Sequence, residues 1–510
     1  MKYIIIILIV FLQQGLSASE KIIRGKIFDF ETNAPLPFAN ISILGKNIGT
    51  ISNSDGYFIF HIRNVSESDT ICFNYIGYEI LKLKVLELKD SINISLHPIA
   101  CELNEVLVYN KNLTPKEIVE LTYQNYKKNH SSPDIRQKVF FHRFITTNLP
   151  SKKTITLLRS DVPSANKDFF RELSNSLNCK YVDYQDAIFY RYYSNKDVKL
   201  VPIKGISINE NSETESRKLL EKKIELIATK LDDWSKETKN YYKMRSGIFS
   251  IKLDTKNDVD TTSSKNSNTK GNIDTLENKE LRDKNYHYIR TSTVNSEINK
   301  VIHKYTNVES ENLEFINNTR KYNYKLVGLT NNNYDPAYII SFSPKKRGLF
   351  EGEMYISTSS YAILQLDYNY LEGKSSQKFH LLGLGHSVNF KKGHIIFEKG
   401  ELNYFIKYIN VEKDESMSVD RNICLVRKKK RTFIDKKLNE IKVSINLKVE
   451  IKNKFELLVL EREEINSNII LKISQPKFMK YKKEESYSLE FLRDGSLVAP
   501  TLELRKYRRK

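Results

Sequence analysis

Between positions 21 and 109, apolar and polar residues alternate in short runs at 22–28, 39–44, 57–62, 70–75, 79–85, 92–96 and 105–108. Seven such runs at close spacing predict a β-sandwich, because a strand turns alternate side chains to a core and to water. Turn residues separate the runs. Pro35 and Pro37 fix φ before one of them, Asn53-Ser54-Asp55-Gly56 predicts a tight turn before Tyr57, and Gly77 a turn at positive φ.

The period then changes. Thr114-Pro115 reads as an N-cap with proline in the first turn, and Ile118, Val119, Leu121, Thr122 and Tyr126 fall near helical spacing over 117–128. Through 138–193 basic and aromatic residues alternate, as in Phe140-Phe141-His142-Arg143-Phe144, with a helix expected at 169–177. Over 213–245, Leu219, Leu220, Ile224, Ile227, Leu231 and Trp234 recur every three or four residues and predict a helical hairpin or long helix. The stretch 252–282 has hardly an apolar residue and is expected as a mobile loop. Strand character returns at 338–342, 352–356 and 361–366, and continues at 378–384, 394–408, 443–451 and 455–461, enough for a sheet to curl around an apolar interior.

The expected fold class is therefore mostly β: a seven-stranded sandwich, then an α+β domain with a curved antiparallel sheet and a helical insertion. The expected divisions are a signal peptide at 1–18, the sandwich at 21–109, a mixed linker and helical region at 114–252, a disordered loop at 253–282, the curved β domain at 283–460 and a polar closing segment at 461–510.

The length, 510 residues, suits about three domains. A hydrophobic content of 40% with 11% aromatic residues excludes a wholly disordered chain. Lys+Arg 82 against Asp+Glu 62 leaves +20, but the excess is spread along the whole chain, so a Lys-rich codon bias accounts for it and no nucleic-acid partner is expected. Lys2, the apolar run 3–12 and the small residues Gly15, Ser17, Ala18 and Ser19 follow the order of a secretory signal peptide, with cleavage expected between Ser17 and Ser19. That run is about half the ~20 residues needed to span a bilayer, so a multi-span membrane protein is not expected. Cys72, Cys101, Cys179 and Cys424 are too few and too scattered for a disulfide framework; buried single thiols are expected, and a Cys72–Cys101 pairing stays open.

Four ordered blocks in the first run of strands resemble a known family. They are Gly25-Lys26-Ile27-Phe28-Asp29, Pro35-Leu36-Pro37-Phe38-Ala39-Asn40-Ile41, the stretch from Gly49-Thr50 to Asp55-Gly56-Tyr57-Phe58, and Asn74-Tyr75-Ile76-Gly77-Tyr78. Ile94-Ser95-Leu96 and Leu103-Asn104-Glu105-Val106-Leu107-Val108 supply the closing pattern. The family is the carboxypeptidase-regulatory-like, transthyretin-like domain at the N-termini of many exported Gram-negative envelope proteins, related to N-terminal extensions of TonB-dependent receptors. The resemblance implies a folding, docking or stabilising module, and a place in the periplasm or at the periplasmic face of the outer membrane. Tyr324-Lys325-Leu326-Val327-Gly328 and Phe350-Glu351-Gly352-Glu353-Met354-Tyr355-Ile356 resemble larger members, in which a curved sheet similar to periplasmic lipoprotein carriers follows. Some relatives continue into an outer-membrane barrel, which the residues remaining here are too few to form.

The chemistry is sparse. Zinc carboxypeptidase chemistry needs a His-x-x-Glu pair, and none of the nine histidines has Glu three residues later. His380, His386 and His394 lie close in sequence but without an established ligand spacing. Gly385-His386-Ser387-Val388-Asn389 lacks the second glycine of a nucleophile elbow, so Ser387 is expected in a strand or turn, and Gly373-Lys374-Ser375 lacks the earlier glycine of a phosphate loop and is expected as a turn. Asn53 and Asp55 suit a turn better than calcium. Tyr190, Tyr192, Tyr193, Tyr241 and Tyr242 suit sheet packing better than sugar stacking. Arg427-Lys428-Lys429-Lys430-Arg431 could touch anionic headgroups or sit on a solvated hairpin end.

No catalytic, cofactor-binding or metal residue is assigned. The expectation is a non-catalytic exported envelope protein in which the sandwich docks or stabilises and the curved domain binds an outer-membrane protein, an envelope polymer or another ligand. The alternatives are a peptide or glycan hydrolase with a site assembled from distant residues, and a periplasmic lipid or lipoprotein carrier with an apolar cavity between 324 and 408.

Overall fold

The computed structural model describes residues 21–62, 65–99, 113–131, 133–148, 154–176, 180–194, 197–210, 240–247, 249–254, 283, 285–332, 335–486 and 498–499. The segment expected as a signal peptide, the run at 105–108, Cys101, Cys179, Trp234 and positions 255–282 of the stretch expected as a loop lie outside these residues.

The first unit is a sandwich. Strands β1 (Lys21–Asp29), β4 (Tyr57–Ile62) and β7 (Ser91–Leu96) form one sheet in the order β4-β1-β7. Strands β2 (Asn40–Ile43), β3 (Gly49–Ile51), β5 (Thr70–Asn74) and β6 (Leu81–Lys84) form the other, in the order β3-β2-β5-β6. Ile23, Ile27, Phe58, Phe60, Ile62 and Ile94 of the first sheet close on Ile41, Ile43, Ile71 and Phe73 of the second. Six of the seven runs read from the sequence become strands; the short β3 was not among them. Cys72 and Cys424 are free thiols, Cys72 buried in the sandwich. The predicted turn forms as read, with Asn53 Oδ1 accepting from the Asp55 and Tyr57 amides at 2.8 and 2.9 Å and Gly56 at φ 78°. Gly77 also sits at positive φ, 88°.

Helix α1 (Pro115–Asn129) follows, with Thr114 and Glu117 forming a capping box. The rest of the described chain builds one 16-stranded sheet. Its strands from the 114–252 stretch are β8 (Ile135–Asn148), β9 (Thr154–Ser160), β10 (Lys180–Ser194), β11 (Asp197–Glu210), β12 (Asn240–Ser246) and β13 (Phe249–Asp254). Helix α2 (Lys167–Ser176) lies between β9 and β10. Then come β14 (Tyr286–Arg290), helix α3 (Thr291–Thr306), the short helix α4 (Glu314–Asn317), β15 (Tyr322–Asn332), β16 (Asp335–Pro344), β17 (Phe350–Ser357) and β18 (Ile363–Tyr370). The series ends with β19 (Ser376–Leu381), β20 (Leu384–Lys399), β21 (Tyr404–Lys429), β22 (Lys436–Glu464), helix α5 (Ser467–Lys472) and β23 (Phe478–Lys483).

Three stretches depart from the pattern their sequence predicts. The run 394–408 is two strands, since a turn closed by the Gly400 amide on the Asn403 carbonyl joins β20 to β21. The runs at 443–451 and 455–461 are one strand, β22. The helix expected over 213–245 falls outside the described residues up to 239, and from Asn240 the chain is a strand paired with β13 and β21.

The large sheet is the middle layer of three. On one face Val139, Phe141, Ala187, Phe189, Leu457 and Val459 pack with Ile118 and Val119 of α1, Val294 and Ile298 of α3, and Phe315 of α4. On the other face Phe140, Tyr184, Ile188, Tyr408, Leu458 and Leu460 meet Ile51 and Ile59 of the sandwich. The alternation along Leu457-Leu458-Val459-Leu460 thus serves two cores at once, which is why those strands read as unbroken apolar runs. Beyond that core β21 and β22 continue as an arm, roughly 60 Å from Val411 to Lys429 at strand rise. Near its far end β9 pairs with β22, and α2 covers them with Val162, Ala165 and Phe170.

Candidate functional site

Where α3 runs into α4, the helical layer leaves a polar cavity against β17, β18 and β20. It measures about 390 Å³ and is lined by Lys304, Glu309, Glu311, Asn312, Glu314, Lys391 and their neighbours. Its floor is built by packing. Phe315 stacks on Phe342 at 4.3 Å between centroids and pins α4 to the sheet, which drives Glu314 inward. The Glu314 carboxylate then accepts from the Tyr322 hydroxyl at 2.5 Å, the Lys321 ammonium at 2.7 Å and the Leu349 amide at 3.1 Å. Burial first, and then the bond to Glu314, push the Tyr322 phenol far above its ordinary range.

Opposite stands Lys391 of β20, only 6% exposed. It shares its face of the strand with Ile395 and Phe397, which belong to the helix-side core. Its ammonium donates to Asn312 Oδ1 at 2.6 Å and lies 5.4 Å from the Tyr370 ring centroid and 5.9 Å from that of Phe350. Burial, reinforced by Lys304 and Lys413 nearby, lowers its pKa to about 8. Lys304, Glu309 and Glu311 ring the exposed mouth. The cavity therefore offers a partly desolvated amine and hydroxyl and amide groups at its floor, with both signs of charge at its rim. It can hold a small polar molecule.

The residues singled out in the sequence are not brought together at this place. His386 and His394 are roughly 25 Å apart along β20, and His380 lies on β19. His386 faces Glu415 at 3.2 Å. His394 pairs with Asp367 on the opposite face of the sheet, and its ring stacks on Phe38 of the sandwich at 4.3 Å. Burial works to raise the Asp367 carboxyl, but His394 and Gln365 outweigh it and hold it below its ordinary value. Among the described residues no three His, Cys, Asp or Glu side chains gather as a metal site.

Ser387 is a strand residue, its hydroxyl 2.8 Å from that of Ser416, and Gly373 makes a turn at φ 78°. Tyr241 donates to Asp435 at 2.6 Å, and Arg136 and Arg191 lie over the rings of Tyr190 and Tyr193. The basic run divides: Arg427 is buried, while Lys430 and Arg431 are exposed at the hairpin end. Sequence reading missed Glu314, Asn312 and Lys391. The one signal was Lys391 itself, a charge at an inward position of the pattern that continues to Ile395 and Phe397.

Residues 23–108 match the family model of the CarboxypepD_reg-like domain. The sandwich is thus a domain of that family, as its blocks imply. A search of curated proteins gave no match. Among solved structures the chain is similar to MucB in complex with MucA(peri), at 6% identity and TM-score 0.14, over 66% of this chain and 94% of that one. The Pseudomonas aeruginosa MucA/MucB complex gives 6%, 0.16, 66% and 93%. A Bacteroides fragilis protein of unknown function gives 10%, 0.13, 86% and 99%.

Proposed function

We propose that the chain is a non-catalytic, exported protein of the cell envelope that binds a small polar ligand carrying both signs of charge, such as a peptide fragment of an envelope polymer. The sandwich, in this reading, is a stabilising module fixed to the back of the binding sheet. The observation that carries it is the cavity with Lys391 and Glu314 at its floor. The helix-side face of the sheet, where a lipid carrier would need room, is filled by Phe315, Phe342, Phe350 and Tyr368 in mutual contact. That favours a polar ligand over a lipid.

The test is thermal stability of the native protein against a panel of di- to tetrapeptides, including muropeptide stems, with Lys391→Met and Glu314→Gln alongside. A ligand that raises the melting temperature of the native chain and not of either variant supports the reading. Mass analysis of the same mixtures reports cleavage; turnover that Lys391→Met abolishes would establish the hydrolase instead. No shift with any compound would overturn the assignment of the cavity.

A further inference from the structure

The far end of the β21–β22 arm has a surface that the cavity does not explain. The turn between the two strands presents Phe433 and Ile434 to solvent at 95% and 82% exposure. Two neighbouring large apolar side chains left uncovered at the apex of an ordered turn mark a contact point. The turn is held in shape: Asp435 accepts from the Tyr241 hydroxyl at 2.6 Å and from the Arg431 amide at 3.2 Å.

Around this apex runs a basic collar. Lys430, Arg431, Lys436 and Lys437 are exposed, and Lys428 and Lys429 are half-buried just behind them. Lys252 of β13 joins them, its ammonium 4.7 Å from the Tyr241 ring centroid. Among the described residues Asp435 stands inside the collar as a carboxylate, its pKa held low by the Tyr241 hydroxyl and the Arg431 amide, and Glu440 pairs with Lys437. The tip therefore has an apolar point and a rim whose net charge over 428–437 is positive, six cations against Asp435.

We propose that this hairpin tip docks on an anionic phospholipid surface, with Phe433 and Ile434 entering the boundary between headgroups and acyl chains and the lysines and arginine contacting the phosphates. Charge complementarity selects the occupant. An apolar protein groove would be served by the two side chains alone, whereas a net positive charge over 428–437 matches a plane of phosphates. Eighteen positions of paired strand, roughly 60 Å of contour at strand rise, separate the tip from Val411. The inference is independent of any ligand in the cavity.

Co-sedimentation of the full chain with phosphatidylglycerol-containing vesicles, and with pure phosphatidylcholine vesicles, tests it. The native protein should bind the anionic vesicles at about 0.1 M salt and lose most of that binding at about 0.5 M. Phe433→Ser with Ile434→Ser should weaken binding at least tenfold while leaving the melting temperature unchanged, since both side chains are exposed. Lys430→Glu with Arg431→Glu should abolish it. A Phe433→Trp variant should show an emission blue shift on adding anionic vesicles beyond any shift of the native protein, whose one tryptophan is Trp234. Absence of binding, equal binding to both vesicle types, or binding indifferent to the Phe433 and Ile434 changes would each overturn the proposal.

Discussion

At the scale of single residues, tight backbone approaches set the strongest constraints. A Cβ on Gly25 would lie 1.8 Å from the Ile92 carbonyl oxygen, because β1 is clasped between β4 and β7. On Gly45, at φ 74°, it would meet nothing within 4 Å. Gly25→Ala is therefore expected to cost about 3 kcal/mol through overpacking, and Gly45→Ala only about 1 kcal/mol through its left-handed backbone, a contrast that urea denaturation measures. Lys391 provides the second case. Its folded pKa, about 8, lies below the 10.5 of an unperturbed lysine, so between these values the unfolded chain binds a proton that the folded chain does not. Stability due to this group rises with pH through that window and is lowest below it. Native protein should thus gain stability relative to Lys391→Met on going from pH 7.5 to 10, by about 2–3 kcal/mol. A difference between the two proteins that stays flat with pH would show that the amine is not desolvated.

At the scale of elements, caps and face patterns decide which stretches order. Thr114→Ala removes the hydroxyl that accepts from the Glu117 amide at 3.3 Å and the bond it returns to the Glu117 carboxylate at 2.7 Å. It should lower stability by about 1 kcal/mol, readable as an earlier thermal midpoint. This helix was legible from the sequence because its signals are local: a cap, a proline and helical spacing. So were the sandwich strands and their turn at Asn53. The misread places each have a physical cause. The turn at 400–403 carries Leu402, 90% exposed, so an apolar residue in a turn passed for strand continuity. Lys452-Asn453-Lys454 looked like a break, yet on the arm both faces of β22 are partly solvated and polar residues fit the strand. Tyr241 and Tyr242 continue a helical pattern by spacing, but pairing with β21 decides their structure. The cavity was illegible for another reason: its floor joins residues from 312 to 391, which tertiary contacts such as the Phe315–Phe342 stack and the Lys391–Asn312 bond make neighbours.

At the scale of the whole molecule, the three layers share their cores, and this governs how the chain should unfold. β4 has the run Tyr57-Phe58-Ile59-Phe60-His61-Ile62, without the clean alternation of a half-exposed strand, because Phe58, Phe60 and Ile62 fill the sandwich while Ile59 and Tyr57 pack on the large sheet. Phe38 adds its stack on His394, and the Asn53 amide donates to the Ala499 carbonyl at 3.0 Å. A module fastened this way should not melt by itself; the native chain is expected to show one calorimetric transition for the sandwich and sheet together. Ile59→Lys places a charge in the shared layer without touching the sandwich's own core, at a cost of several kcal/mol to the contact. It should split the transition in two, the sandwich melting first, with protease cleavage appearing between the sandwich and α1 before the sheet unfolds. Phe60→Lys, aimed at the inner core, should instead unfold the sandwich outright. If Ile59→Lys melted in one transition at the native temperature, the sandwich would be a tethered neighbour rather than part of the large sheet's support.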